Sequence, residues 1–264
     1  QCSIAENGIE HVLELVGWPL PEVYSAELSL FAMEAGIRLL ERERPDLLYL
    51  SLTDYIQHKH APGAPAANAF YAGLDAAFGR LHELGALVAL IADHGMNDKS
   101  KPDGSPNAIF LQDLLDREFG ARATRVVLTI TDPYVVHHGA LGGFVGVYCD
   151  HGVAPESVIA FAKDIPGIEA AMDRDAACAA FALPADRQPD VAVISDAASV
   201  IGAAEAGHDL SALKDVRLRS HGGIAERWVP MILSRPLNDT YAAKAAGGDL
   251  KSYQVFDFAI NGTL

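Results

Sequence analysis

The stretch LLYLSLTD at residues 47–54 decides the fold class. Its first six residues form a nearly continuous apolar run, which is typical of a strand buried on both faces in a parallel sheet. The stretch LVALIADH at residues 87–94 shows the same pattern, because its apolar run also ends at a polar pair. Between them, residues 65–84 carry apolar side chains at a period close to 3.6, as an amphipathic helix does. Strand, helix and strand in this order predict a βαβ unit and an α/β fold.

The rest of the chain predicts a core interrupted by an inserted cap. Residues 24–43 have the helical period and residues 229–233 the apolar character of a last core strand. In the intervening segment, short elements alternate with Gly, Pro and Asp: strands at 126–131, 143–148 and 191–195, and a helix at 155–163. We therefore predict a discontinuous core of residues 1–100 and 216–264, and an α+β cap of residues 101–215.

The net charge of the chain argues against some classes of binding partner. The 264 residues include 20 Lys and Arg against 35 Asp and Glu, a formal charge of −15. Such a chain is a poor partner for nucleic acid or for an anionic membrane surface. An anionic substrate would then need local cations, and bound divalent metal ions provide them most directly.

Cysteine usage and hydropathy favour a cytoplasmic protein. Cys2, Cys149 and Cys178 are odd in number and widely spaced, which argues against a disulfide framework. No apolar run approaches the roughly 20 residues of a membrane span. The chain opens at Gln1 without an initiator Met and without a leading strand, so we expect an N-terminal portion to be missing.

Two polar pairs follow the predicted strands. Asp54 and His58 are four residues apart, a spacing that lets both side chains reach one metal ion; the alternative is a helix-capping Asp and a surface His. Asp93 and His94 are adjacent after a buried strand, where a carboxylate without a partner would be costly to desolvate. Their alternative is an Asp N-cap with a solvated His. Because ligands bind beyond the carboxyl ends of parallel strands, both pairs are expected at one sheet edge.

A third candidate is His221, in the sequence Ser-His-Gly-Gly. Glycines let the backbone approach another group closely, although they are equally common in plain turns, where this would be an ordinary loop histidine. Two Asp and three His together form a mixed nitrogen and oxygen ligand set. That set suits zinc, with manganese or iron as alternatives.

The order D-x-x-x-H, D-H-G-M and H-G-G resembles the alkaline phosphatase superfamily of di-metal phosphoryl and phosphonyl hydrolases. Within it, residues 49–63 and 92–99 resemble the phosphonoacetate hydrolases, as do residues 6–9 and 12–16. The resemblance implies an alkaline-phosphatase-like α/β core, with a mainly parallel sheet flanked by helices, plus the inserted α+β cap.

The resemblance also implies the ligand sets of two zinc ions (Zn2+). Asp54, His58 and His221 would bind one ion, and Asp93 and His94 the other. A further Asp and the nucleophilic Thr belong to an N-terminal portion of such enzymes that has no counterpart after Gln1. Four threonines of this chain are considered and not assigned that role: Thr53, Thr124, Thr129 and Thr131.

The implied reaction is hydrolysis of the C–P bond of phosphonoacetate to acetate and phosphate. Lys59 and His60 are candidates to bind the substrate carboxylate, the alternative being a solvated Lys-His pair. The pair His137-His138 has no metal-ligand spacing and predicts a surface loop. By itself the chain is expected to bind one zinc ion well, the other poorly, and to turn over little or no phosphonoacetate.

Three other functions remain open at this point. The first is a nucleotide pyrophosphatase or phosphodiesterase of the same superfamily, which would share the metal motifs. The second is a non-catalytic metal-binding fragment, and the third is a binding protein without metal. The expected partner is a small phosphonate rather than nucleic acid or a membrane, with a homodimer as the candidate assembly.

Overall fold

The structure, a computed structural model, describes residues 3–130, 139–150, 152–213 and 216–264. The chain divides into two compact units. The first unit consists of Gln1–Asp93 and Pro230–Leu264, and the second unit of His94–Val229. The predicted cap, residues 101–215, is shorter than the second unit at both ends, and its boundaries stay a prediction.

Helices and short strands alternate along much of the chain. The α-helices of the described residues are α1 (Ile4–Asn7), α2 (Val12–Val16), α3 (Ala26–Glu43), α4 (Tyr55–Lys59), α5 (Pro65–Glu83), α6 (Leu111–Phe119), α7 (Pro155–Lys163), α8 (Arg174–Phe181), α9 (Asp239–Ala246) and α10 (Val255–Gly262). The strands are β1 (Ala89–Ile91), β2 (Asn97–Asp98), β3 (Ala108–Phe110), β4 (Thr124–Leu128), β5 (Phe144–Cys149), β6 (Ile168–Asp173), β7 (Val191–Ser195), β8 (Val200–Gly202), β9 (Arg219–Ser220) and β10 (Met231–Leu233). The predicted α/β class is confirmed.

Two long helices form the core of the first unit. The helices predicted at 24–43 and 65–84 are confirmed as α3 and α5. Pro65 occupies the first turn of α5, where its fixed φ and missing N–H cost nothing. The apolar stripes of the two helices share one cluster of buried side chains: Met33, Ile37, Ile56, Ala67, Phe70, Leu74 and Leu81.

The prediction of a strand at residues 47–52 is wrong for the described residues. The segment is not a strand, and no strand pairing joins it to another described residue. Its side chains alternate instead: Leu50 and Leu52 pack on the core cluster, whereas Leu47 is 70% and Tyr49 is 77% exposed. A strand is buried on both faces only where further layers cover it, and an apolar run cannot show that those layers are present.

The strands predicted at 87–92 and 229–233 form as the shorter β1 and β10. They pair antiparallel, with Ala89 opposite Leu233 and Ile91 opposite Met231. The parallel pairing expected between the strands that precede Asp54 and Asp93 is therefore not formed among the described residues. Parallel pairing is found in the second unit, between β3 and β8.

The second unit is organised around a four-stranded antiparallel sheet in the order β4-β5-β7-β6. The predicted helix at 155–163 and the strand at 191–195 are confirmed with the same ends, as α7 and β7. The strand predicted at 143–148 is β5, and that at 126–131 is β4, whose last predicted residue, Thr131, lies outside the described residues. Fully buried side chains from the sheet and its helices form the core, including Leu111, Leu115, Val145, Val147, Val158 and Val193.

Candidate functional site

The first unit brings Asp54 and His58 together. Asp54 lies at the N-terminus of the one-turn helix α4, and its side chain does not cap the helix. Its Oδ2 instead lies 3.1 Å from Nε2 of His58, which is buried in the same helix. The helical spacing of four residues places both side chains on one face, as the sequence predicted.

This pair fits two ligands of one zinc ion. Zinc bonds of about 2.0–2.2 Å at tetrahedral angles place two ligand atoms about 3.4 Å apart. The 3.1 Å separation between carboxylate oxygen and imidazole nitrogen is a hydrogen-bond distance, and it is also close to that value. A mixed oxygen and nitrogen pair is also the donor chemistry that zinc accepts.

Lys59 and His60, the predicted carboxylate-binding residues, follow His58 directly. Lys59 ends α4, and the backbone N–H of His60 donates to the carbonyl of Ile56. Burial lowers the pKa of Lys59, because the charged ammonium loses hydration. Both side chains are half-buried, and their role in binding a carboxylate stays a prediction.

Asp93 also belongs to the first unit, two residues beyond β1. It is exposed, so the expected desolvation of its carboxylate does not occur in this structure. Burial of the Asp93 carboxylate therefore no longer supports a cation beside it. Its role as a ligand of the second ion stays a prediction.

The second unit holds the other two candidate ligands against each other. The rings of His94 and His221 stack with centroids 3.5 Å apart and an interplanar angle of 7°. Nδ1 of His94 lies 3.0 Å from the carbonyl oxygen of Gly95, which can only accept a hydrogen bond. Nδ1 therefore donates this hydrogen bond, which is the tautomer in which Nε2 is the nitrogen that would bind a metal ion, as in many metal-binding histidines.

Two short strands create this juxtaposition. β2 and β9 pair antiparallel, with Asn97 opposite Ser220. His221 directly follows β9, and His94 lies three residues before β2, so the antiparallel pair carries both rings to the same end. The buried hydroxyl of Ser220 donates to the carbonyl of Leu141 at 2.7 Å and fixes β9 from behind.

The glycines after His221 allow the backbone at Gly143 to lie close to the backbone at Gly222 and Gly223. The N–H of Gly143 donates to the carbonyl of His221 at 2.7 Å. A Cβ added to Gly143 would lie 2.3 Å from the backbone nitrogen of Gly223, and Gly222 has a φ of +106°, which favours glycine. The Gly-Gly pair thus lets another backbone segment pass directly behind His221.

Sequence reasoning missed a buried ion pair beside these histidines. Nζ of Lys99 lies 2.9 Å from Oε1 of Glu226, and both side chains are almost completely buried. Glu226 is the third residue of a short turn that begins after Gly223, and its side chain accepts a hydrogen bond from the backbone N–H of Gly223. No local pattern marks Lys99, because its partner is 127 residues away.

Of the threonines considered above, Thr53 and Thr129 make hydrogen-bond contacts within the described residues. The Thr53 hydroxyl lies 3.2 Å from the Ser29 hydroxyl in the first unit. Thr124 is buried in β4, and the Thr129 hydroxyl donates to the carbonyl of Phe144. Thr131 lies outside the described residues, as does the pair His137-His138. None of the described contacts marks a threonine as a nucleophile.

Comparison with known proteins identifies the class. Residues 18–223 match the family model for type I phosphodiesterase / nucleotide pyrophosphatase. The chain belongs to this family, which is part of the alkaline phosphatase superfamily of metal-dependent enzymes. None of the described helices combines the length and the apolar character that a membrane crossing requires.

Solved structures give a closer likeness. Phosphonoacetate hydrolase from Sinorhizobium meliloti 1021, solved in complex with phosphonoacetate and with phosphonoformate, is 46% identical, with a TM-score of 0.90. The match covers 98% of this chain and 61% of that one. The resemblance predicted from residues 49–63 and 92–99 is confirmed.

A more distant structure shares the fold. Murine ectonucleotide pyrophosphatase/phosphodiesterase 5 is 16% identical, with a TM-score of 0.53, over 89% of this chain and 62% of that one. The chain therefore spans about three fifths of the length of these structures.

Proposed function

We propose that the protein represented by this chain hydrolyses the C–P bond of phosphonoacetate to acetate and phosphate. The observation that carries the proposal is the 46% identity, over 98% of this chain, to a phosphonoacetate hydrolase solved with phosphonoacetate bound. The position of Asp54 and His58 adds support, because their ligand atoms are spaced for one metal ion.

Two zinc ions are the proposed cofactors. Asp54, His58 and His221 would hold one ion, and Asp93 and His94 would contribute to the other. Zinc in such a site neutralises phosphonate charge and lowers the pKa of a bound hydroxyl group. In a chain with a net charge of −15, such local cations are needed before a multiply charged anion can bind.

Lys59 and His60 are the proposed carboxylate-binding residues. An ammonium that is partly desolvated gains more from an anionic partner than a fully hydrated one does. The half-buried position of Lys59 at the end of α4, directly after His58, is therefore consistent with a place beside the substrate carboxylate. Holding this carboxylate matters chemically, because it accepts the electron pair of the breaking C–P bond, and the resulting carbanion or enolate is then protonated to acetate.

The chain by itself is proposed to be a weak catalyst. The resemblance implies a nucleophilic threonine, and the described contacts assign that role to none of Thr53, Thr124 and Thr129. Asp93 and His94 are only two protein ligands, whereas catalytic zinc sites ordinarily have three. We therefore expect one tightly bound zinc ion per chain and little or no phosphate release.

A second candidate is hydrolysis of nucleotide phosphodiesters. The family model that matches residues 18–223 favours it, since that family is described by this activity. A third candidate is a metal-binding fragment without turnover. The weak catalysis expected of the chain by itself favours this candidate. The proposal also includes a small phosphonate as the partner, a cytoplasmic location and assembly as a homodimer.

Substrate choice is tested with the gene product that contains this chain. Phosphate release from phosphonoacetate is compared with nitrophenol release from a nitrophenyl nucleotide ester, each with zinc added. A kcat/KM that is much higher for phosphonoacetate supports the proposal, and preference for the nucleotide ester contradicts it. Robust phosphate release by the 264-residue chain alone would contradict the expectation of weak catalysis.

A further inference from the structure

Glu226 connects the two segments that carry His94 and His221. One carboxylate oxygen, Oε1, accepts hydrogen bonds from the Asn97 side chain at 2.6 Å and from Nζ of Lys99 at 2.9 Å. The other, Oε2, accepts from the backbone N–H of Gly223 at 2.8 Å. The backbone carbonyl of Glu226 accepts from the N–H of Gly95 at 2.6 Å.

These contacts are arranged around the stacked histidines. Gly95 immediately follows His94, and Asn97 and Lys99 belong to the same segment. Gly223 lies two residues after His221. Glu226 therefore binds the histidine-bearing segment of β2 with its backbone and side chain, and the histidine-bearing segment of β9 with its side chain.

The energetics of burial indicate that the Lys99–Glu226 pair places the two segments relative to each other rather than stabilising the fold. Lys99 is fully buried and Glu226 is 2% exposed, so both charges have lost their hydration. A buried ion pair often contributes no more stability than apolar side chains of similar volume would, although removing only one partner is strongly destabilising. What apolar side chains could not provide is the set of directed hydrogen bonds to Asn97 and Gly223.

We propose that Glu226 is a positioning residue that fixes the relative placement of His94 and His221. It touches neither ring among the described contacts, and it acts through the backbone on both sides. The part of the inference that concerns zinc rests on the proposed function. Residues that orient metal ligands typically change metal affinity by about 10–100-fold when replaced. Its consequence for the metal-free protein is independent of zinc: the two imidazole rings remain stacked only while Glu226 is present.

Three variants separate positioning from folding. Glu226→Gln removes the charge of the carboxylate. The double variant Lys99→Met with Glu226→Met replaces the ion pair by apolar side chains of similar volume, and this protein is expected to fold. Glu34→Gln is the matched control, because Glu34 is also a buried carboxylate with Arg partners, but on α3 in the first unit. Thermal unfolding establishes which variants are folded before any other measurement.

Zinc affinity and histidine NMR are the two measurements. Competition with a chromogenic chelator should show zinc bound at least about tenfold more weakly by the folded Glu226 variants. In the metal-free protein, the imidazole resonances of His94 and His221 should both shift. Glu34→Gln should leave both measurements at the parent values.

The outcomes distinguish this inference from the proposed function. Parent-like zinc affinity together with parent-like imidazole resonances in the double variant would overturn the inference, as would an equal loss in Glu34→Gln. If the parent protein binds no zinc, the proposed function fails, and the imidazole resonances of the metal-free variants still decide the role of Glu226.

Discussion

The two units differ in how completely they bury their own apolar side chains. All but two of the exposed large apolar side chains in the described residues belong to the first unit, with Tyr49, Tyr253 and Ile260 each at least 75% exposed. In the second unit, Val127 and Trp228 are the exceptions. The second unit closes a four-stranded sheet with its own helices, whereas the described sheet of the first unit is the short β1-β10 pair.

This difference shows what an apolar run can and cannot indicate. In the second unit, the apolar strand β7 is buried along its whole length, because β5 and β6 pair with it and helices cover the sheet. At residues 47–52 an equally apolar run has one face on the helices and the other exposed. Apolar character thus favours burial, but the surrounding layers decide it.

Truncating a leucine in each unit tests this comparison with the largest expected effect. Leu115 is fully buried in α6, so Leu115→Ala should lower the free energy of unfolding by about 2–5 kcal/mol. Leu47 is 70% exposed, so Leu47→Ala should change it by less than about 0.5 kcal/mol. Equilibrium urea unfolding measures both. A cost at Leu47 as large as that at Leu115 would mean that this face is covered in solution.

A pair of glycine substitutions sharpens the comparison at the backbone. Gly143→Ala places a Cβ 2.3 Å from the nitrogen of Gly223, and backbone cannot move aside cheaply, so a loss of about 1–3 kcal/mol or more is expected. Gly79 lies in α5, and an added Cβ would meet nothing within 4 Å. Gly79→Ala should therefore stabilise the protein by about 0.4–1 kcal/mol through the unfolded state. Thermal unfolding of both variants checks the opposite signs, and a neutral Gly143→Ala would contradict the close approach.

The smallest expected effect is a pH dependence at β2. Burial acts to raise the pKa of Asp98, but hydrogen bonds from Arg217 and the backbone N–H of Ser100 outweigh it and hold the pKa below its usual value. A carboxyl with a depressed pKa stabilises the fold fully above the ordinary aspartate value of about 3.9. That contribution is lost as the pH falls through the folded-state pKa.

Asp98→Asn checks this pH dependence. At neutral pH the variant should be slightly less stable than the parent, since the ion pair is largely exposed. The difference in unfolding free energy should shrink as the pH is lowered below the ordinary aspartate value. A constant difference at all pH values would show that the carboxylate charge does not matter.

Sequence reasoning succeeded where structure is set locally. The helices α3, α5 and α7 follow from apolar periodicity and from Pro at the first turn of α5 and α7. The joint placement of Asp54 and His58 follows from helical spacing. These features need no knowledge of distant residues.

Features that depend on distant residues could not be derived in this way. The stacking of His94 on His221 requires the pairing of β2 with β9, which lie more than a hundred residues apart in the chain. The Lys99–Glu226 pair has the same origin. The exposure of Asp93 depends on what covers the end of β1, so the argument from a buried strand failed there.

Zinc content after replacement of His221 tests the central claim most directly. The purified chain is loaded with zinc, dialysed and analysed by mass spectrometry for metal, alongside His221→Ala and the surface control His82→Ala. The parent and His82→Ala should retain at least one zinc ion per chain, and His221→Ala should lose it. Unchanged zinc content in a folded His221→Ala variant, or no retained zinc in the parent, would contradict the account.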